Sequence, residues 1–165
     1  QTYSRDDFHA NPSSYDCIFD AYTLHTDILM NGIYWDTNIP RLFEKINLKN
    51  PDFRIQTIAD ITDDMYGSVP CNLGDSTIDD PVYGVDKTTM EKTQPYLPDT
   101  VDVMAVGNLP NEMPRDASRY FGEQLIKFVL KDIIDGGSEI IDKATIIKNG
   151  ELTSYYEYMR EYVEG

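Results

Sequence analysis

Apolar residues in this chain cluster in short runs separated by Pro, Gly and Asn. The run Ile28-Leu29-Met30, then Asn31-Gly32, then Ile33-Tyr34-Trp35 reads as a buried strand. Residues 53–61 form a second strand, with β-branched residues at Ile55, Thr57 and Ile58, and residues 101–106 form a third. Asn38-Ile39-Pro40 predicts a helix with Leu42, Phe43 and Ile46 on one face, since Pro40 suits its first turn. Asn11-Pro12-Ser13-Ser14 is a further helix start, with Tyr15, Ile18 and Phe19 sharing a face. Strand, helix, strand, long loop, strand predicts parallel pairing of residues 27–34, 53–61 and 101–106 with crossover connections.

The segment 62–100 carries Pro70, Pro81, Pro95, Pro98 and many acids, which is long for a loop without structure of its own. A short strand or hairpin is expected around Pro81-Val82-Tyr83-Gly84-Val85. Residues 115–134 make the clearest helix. Pro114 fits its first turn, Asp116 complements the N-terminal dipole, and Gly136-Gly137 stops it. Phe121, Leu125, Phe128 and Val129 share a face that Ile126, Leu130 and Ile133 widen, so the helix is expected to be buried on more than one side. A last helix is predicted over residues 153–163, where Tyr155, Met159 and Tyr162 share a face that reads as a docking surface.

The 165 residues include 41% hydrophobic and 12% aromatic residues, enough for a packed core. There is no apolar run of membrane-spanning length, and the polar, acidic opening residues do not resemble a secretory signal. The chain opens without Met, read either as processing or as a start inside a longer protein. The net charge of −15 argues against nucleic acid and anionic lipid as partners and is itself ordinary solubilising charge. Cys17 and Cys71 give no disulfide framework, which suits a reducing cytoplasm, and His9 and His25 give no zinc-site spacing.

Candidate chemistry collects where the strands end. Asn31-Gly32 is either a close backbone approach to a nucleotide or a bulge or tight turn. Asp60-Ile61-Thr62-Asp63-Asp64 puts three carboxylates at a strand's carboxyl end. They serve ribose hydroxyls, a metal or a proton, or else form a solvated acidic turn. Ser76-Thr77-Ile78-Asp79-Asp80-Pro81 reads as an Asx or ST turn. Arg115 either reaches an anionic group or pairs with Glu112 or Asp116.

Read together, these motifs resemble the C-terminal part of the saccharopine dehydrogenase and lysine–oxoglutarate reductase family, which groups with alanine dehydrogenase and transhydrogenase-like proteins. The matching residues are Asp27 with Asn31-Gly32-Ile33-Tyr34-Trp35 and Pro40-Arg41-Leu42; Asp60-Ile61-Thr62 with Asp64, Gly67 and Ser68; Ser76 to Pro81; and Asn108-Leu109-Pro110 through Pro114-Arg115-Asp116-Ala117-Ser118 to Phe121-Gly122. The resemblance implies an α/β fold: an incomplete Rossmann-like parallel sheet of three strands with crossover helices, plus C-terminal helices. Residues 1–112 would be the later half of a nucleotide-binding domain. Residues 113–165 would be a connecting helix and a segment returning to the substrate domain.

By the same resemblance, Asn31, Gly32, Ile33, Asp60, Ile61, Asn108 and Leu109 lie near NAD or NADP, and Asp64 is the active-site carboxylate. Hydride transfer at a C–N bond of an amino-acid substrate is the implied reaction. The Gly-rich pyrophosphate turn is absent, and Gly107 stands where many relatives carry Asp. The piece is therefore expected to need the missing N-terminal part or another copy of the chain. The alternative is a non-catalytic acidic binding or assembly module on a truncated dehydrogenase fold.

Overall fold

The computed structural model describes residues 4–164 and divides into two compact units, Gln1–Glu112 and Met113–Gly165. Among the described residues of the first unit, β1 (Ile28–Asn31), β2 (Thr57–Asp60), β3 (Val82–Asp86), β4 (Lys92–Thr93) and β5 (Thr100–Met104) form one sheet, ordered β1-β2-β5-β3-β4. β1 pairs with β2 and β2 with β5 in parallel, placing Leu29 opposite Ile58 and Ile58 opposite Val103. The three predicted strands thus pair as expected, although each is shorter. The sheet is mixed because the proline-rich segment folds into the hairpin β3–β4, whose first strand runs antiparallel to β5.

The first strand differs from expectation in its burial. β1 is an edge strand that alternates, with Leu29 8% exposed but Ile28 65% and Met30 71%. It ends at Asn31, whose carbonyl accepts the Ile61 N–H at 2.8 Å. Residues 33–35 leave the sheet.

Alternation puts Leu29, Ile58, Val101, Val103, Tyr83 and Val85 on the covered face. The connection from β1 to β2 lies over them and supplies Phe43, Leu48, Phe53 and Ile55, with the Phe43 and Phe53 rings 5.5 Å apart. That connection contains no long crossover helix. The helix expected after Pro40 is replaced by a loop and a 3-10 helix at Lys45–Lys49. The Leu42 N–H bonds the Ser68 carbonyl rather than a preceding turn, and Pro51 after Asn50 blocks extension.

The helix expected from Pro12 is also overturned. One 3-10 turn, Pro12–Ser14, gives way to extended backbone at Tyr15, whose hydroxyl donates to Asp7 at 2.5 Å. Short helices α1 (Arg5–Ala10) and α2 (Asp20–Thr23) flank that stretch.

The second unit carries the long helix: α3 (Pro114–Leu125), a π-helical stretch at Ile126–Leu130, and α4 (Lys131–Ile134). Gly136 and Gly137, with φ of 95° and 120°, terminate it as expected. Its predicted burial is not observed, for Phe121, Ile126 and Phe128 stay exposed. Asp116 pairs with Arg119 rather than with Arg115. Then come α5 (Glu139–Ala144) and the hairpin of β6 (Ile147–Lys148) and β7 (Glu151–Leu152). The predicted last helix begins as 3-10 at Ser154–Met159, kinked at Tyr156, and becomes α6 (Arg160–Glu164). No helix among the described residues is long and apolar enough to cross a membrane.

Candidate functional site

The carboxyl ends of β1, β2 and β5 meet in one place. Gly32 and Ile33 follow β1, Ile61 to Asp64 follow β2, and Gly107 and Asn108 lie a few residues beyond β5. Cross-links hold these loops together. Thr62 Oγ1 donates to the Ile33 carbonyl at 2.8 Å. Ser76 bridges Val106, which brings Asp75 beside Gly107. A Cβ at Gly107 would stand 3.0 Å from Asp75 Oδ2 and 3.3 Å from Asp63 Oδ2. The Asp63 and Asp75 carboxylates thus occupy the space that a side chain at 107 would use.

Two of the sequence motifs are bonded to each other. Arg41 donates from Nε to the Tyr66 and Gly67 carbonyls, each at 3.2 Å, and from Nη2 to Tyr66 at 3.1 Å. This clamps the turn that carries Asp64, in which the Gly67 N–H bonds the Asp64 carbonyl at 2.8 Å. A Cβ at Gly67 would lie 2.5 Å from the Asp64 Cβ, so only glycine closes this turn. Asp64 itself is half-buried. Asp63, Tyr66 and Asn108 adopt left-handed backbone, with φ of 55°, 54° and 53°, so strain gathers at this end of the sheet.

Beneath the loops lies a buried polar network. Asn31 Nδ2 donates to Asp60 Oδ1 at 2.7 Å and to Ser68 Oγ at 2.8 Å. Asn72 Nδ2 donates to Asp60 Oδ2 at 2.9 Å, and the Asp63 N–H reaches Asp60 Oδ1 at 3.3 Å. Asp60 is only 1% exposed and is satisfied by neutral donors, as a buried carboxylate requires. Burial pushes the Asp63 carboxyl upward, with the Asp75, Asp60 and Asp64 carboxylates adding to the push and the Asn72 hydrogen bond opposing it. Burial also raises the Cys71 thiol to about 12, which leaves no thiolate nucleophile there. No group of His, Cys, Asp and Glu among the described residues is arranged to hold a metal ion.

The structure therefore brings Asn31, Gly32, Ile33, Asp60, Ile61, Asp64 and Asn108 to one end of the sheet, with Leu109 opening the 3-10 turn that follows. They divide into two kinds. Gly32, Ile33, Ile61 and Asn108 are exposed, whereas Asn31 and Asp60 are sealed beneath them. Sequence reasoning missed Ser68 as a partner of Asn31, Asp75 beside Gly107, and Asn72. Proximity to an Asp-rich turn was the one signal for Asp75, and no local pattern marks Asn72.

Two observations bear on whether a dinucleotide suits this end. Nothing lies within 4 Å of where a Gly32 Cβ would stand, so no packing within the protein requires glycine there. Asn31 Oδ1 is buried without a hydrogen-bond donor. Open backbone at Gly32 leaves room for a ligand to approach the main chain, whereas the sealed Asn31 Oδ1 lies out of its reach.

No family model matches the chain. It is 30% identical to the alpha-aminoadipic semialdehyde synthase of Arabidopsis thaliana over 96% of its length, and 27% identical to the mitochondrial alpha-aminoadipic semialdehyde synthase of Mus musculus over 85%. It is 30% identical over 64% of its length to a Neurospora crassa saccharopine dehydrogenase named as NAD(+), L-lysine-forming. The chain is a homologue of the saccharopine dehydrogenases. Saccharopine dehydrogenase-type proteins are oxidoreductases, and the chain spans only part of them: 16% and 18% of the two semialdehyde synthases and 27% of the fungal saccharopine dehydrogenase.

Proposed function

We propose that this chain is the C-terminal portion of an NAD(P)-dependent amino-acid oxidoreductase that transfers hydride at a C–N bond. The carrying observation is the convergence of Gly32, Ile61 and Asn108 at the carboxyl ends of three parallel strands, the position where open α/β sheets take their ligands. A bound nicotinamide supplies the hydride. The chain's own residues place it: Gly32, Ile33, Ile61, Asn108 and Leu109 line the crevice, while Asn31 and Asp60 support it from below. Asp64, on the turn clamped by Arg41, is the candidate for moving a proton at the reacting amine.

In this reading residues 1–112 are the later half of the nucleotide-binding domain, and residues 113–165 return to the substrate domain. The outward apolar side chains of the long helix, Phe121 and Ile126 among them, are then surfaces for the missing N-terminal part or another copy of the chain. The chain alone lacks the glycine-rich turn that seats a pyrophosphate, so purified chain is expected to turn over neither lysine with 2-oxoglutarate nor alanine.

Steady-state kinetics of Asp64→Ala in a complete enzyme carrying this segment test the catalytic assignment. The expected loss in kcat is about 10²–10⁴-fold with little change in melting temperature. A raised cofactor KM at unchanged kcat would move Asp64 to a binding role, and native values of both would remove it from the site.

A further inference from the structure

Asn72 lies in the connection between β2 and β3, and its side chain is fully buried. Its Oδ1 accepts the Gly74 N–H at 2.9 Å and the Tyr83 hydroxyl at 3.3 Å. The Tyr83 oxygen is anchored in turn by the Leu73 N–H at 2.8 Å. The Gly74 N–H can only donate, so it fixes the rotation of the amide: a flipped NH₂ would face it with no acceptor. Nδ2 must therefore point the other way, where it meets Asp60 Oδ2 at 2.9 Å and Asp63 Oδ1 at 3.3 Å.

We propose that Asn72 is the positioning residue of the crevice: one rotationally locked amide holds the Asp60 and Asp63 carboxylates together at the end of β2. Its bearing on cofactor binding rests on the function proposed above, whereas its hold on the carboxylates does not. The Asn72 amide places one N–H donor on each of the two carboxyl groups, which would otherwise face each other without one. The charged groups facing Asp63 are Asp60 and Asp64 from its own loop and Asp75 across Gly107. Tyr83, behind Asn72, remains a neutral hydroxyl because burial pushes its ionisation up to about 12, so it keeps donating to the amide oxygen. Among these neighbours Asn72 is the one that favours the ionised form of Asp63.

The test is a carboxyl ¹³C NMR titration of Asp63 in the chain and in Asn72→Leu, which keeps the side-chain volume, removes the donor and adds no charge. The expected result is an upward move of the Asp63 midpoint, about tenfold in proton affinity. A purely space-filling Asn72 would leave the Asp63 midpoint in Asn72→Leu as in the native chain, and that outcome overturns the proposal. Where Asn72→Leu does not fold, Tyr83→Phe removes one of the donors to the amide oxygen while keeping the ring. The Asp63 midpoint should again rise, by less, and an unchanged midpoint overturns the proposal. Affinity for NAD⁺ and NADP⁺ is measured separately on the same variants. Shifted titrations with unaltered cofactor affinity would uphold the role of Asn72 and count against the cofactor reading instead.

Discussion

The end of the sheet around Asp60 and the long helix of the second unit invert the usual distribution of side chains in opposite senses. At the sheet end polar groups are sealed: Asn31, Asp60 and Asn72 are at most 1% exposed and bond chiefly to one another. Along the helix apolar groups face outward, with Phe121 at 65% and Ile126 at 66% exposure. Burying polar groups costs free energy unless each finds partners, so such a network is maintained for the geometry it imposes. Leaving large apolar side chains in water is the mark of a surface that something else covers. The first unit thus holds a buried polar network at one end of its sheet, and the second an exposed apolar helix face.

The comparison breaks most visibly in stability. Ile58 is wholly buried among Leu29, Phe43 and Val103, so Ile58→Ala is expected to cost about 2–5 kcal/mol by urea unfolding. Phe128 is exposed, so Phe128→Ala should change stability by less than about 0.5 kcal/mol. Equal losses at the two sites would mean that the helix is packed after all.

Asn31→Leu sharpens the contrast within the first unit. It keeps the side-chain volume but removes the donors to Asp60 and Ser68, leaving the buried Asp60 short of a partner. The expected cost is about 1.5–3 kcal/mol, the range for a hydrogen bond to a charged group. A variant as stable as the native chain would show that the network is dispensable for the fold.

The smallest effect is a pH slope. The folded-state pKa of Asp63 is raised above its ordinary value, mainly by burial, so the folded chain binds more protons than the unfolded chain in the window just above that value. The contribution of Asp63 is therefore favourable at the acidic side, falls as pH rises through the window, and is level above it. Asp63→Asn should remove this slope. Urea midpoints of native chain and variant that run parallel from about pH 4 to about pH 7 would deny Asp63 its perturbed environment.

The sheet was legible because its residues follow a short-range rule. Val101 and Val103 alternate with Asp102 and Met104, and the β-branched run ending at Ile58 needs no distant partner to read as a strand. The region after Pro40 misled because its outcome is tertiary. Apolar spacing at Leu42, Phe43 and Ile46 suits a helix, but the Leu42 N–H and the Arg41 guanidinium are captured by carbonyls of Tyr66, Gly67 and Ser68. Ile46 is left 61% exposed. The acids Asp60 and Asp64 were visible as a cluster at a strand's end, whereas their separate circumstances were not. Asn72 is isolated in sequence from every residue it holds except Gly74, so no local pattern reveals it.

The central claim is that the carboxyl ends of β1, β2 and β5 form a dinucleotide crevice. Backbone amide NMR of isotope-labelled chain titrated with NAD⁺ and with NADP⁺ tests it most directly, because it detects weak binding residue by residue and needs no turnover. The predicted result is saturable shifts at Gly32, Ile33, Ile61, Asn108 and Leu109, with Phe53 and Lys87 at the opposite end of the sheet unmoved. Shifts centred on Phe53 and Lys87, or no saturable shifts with either dinucleotide, would contradict it.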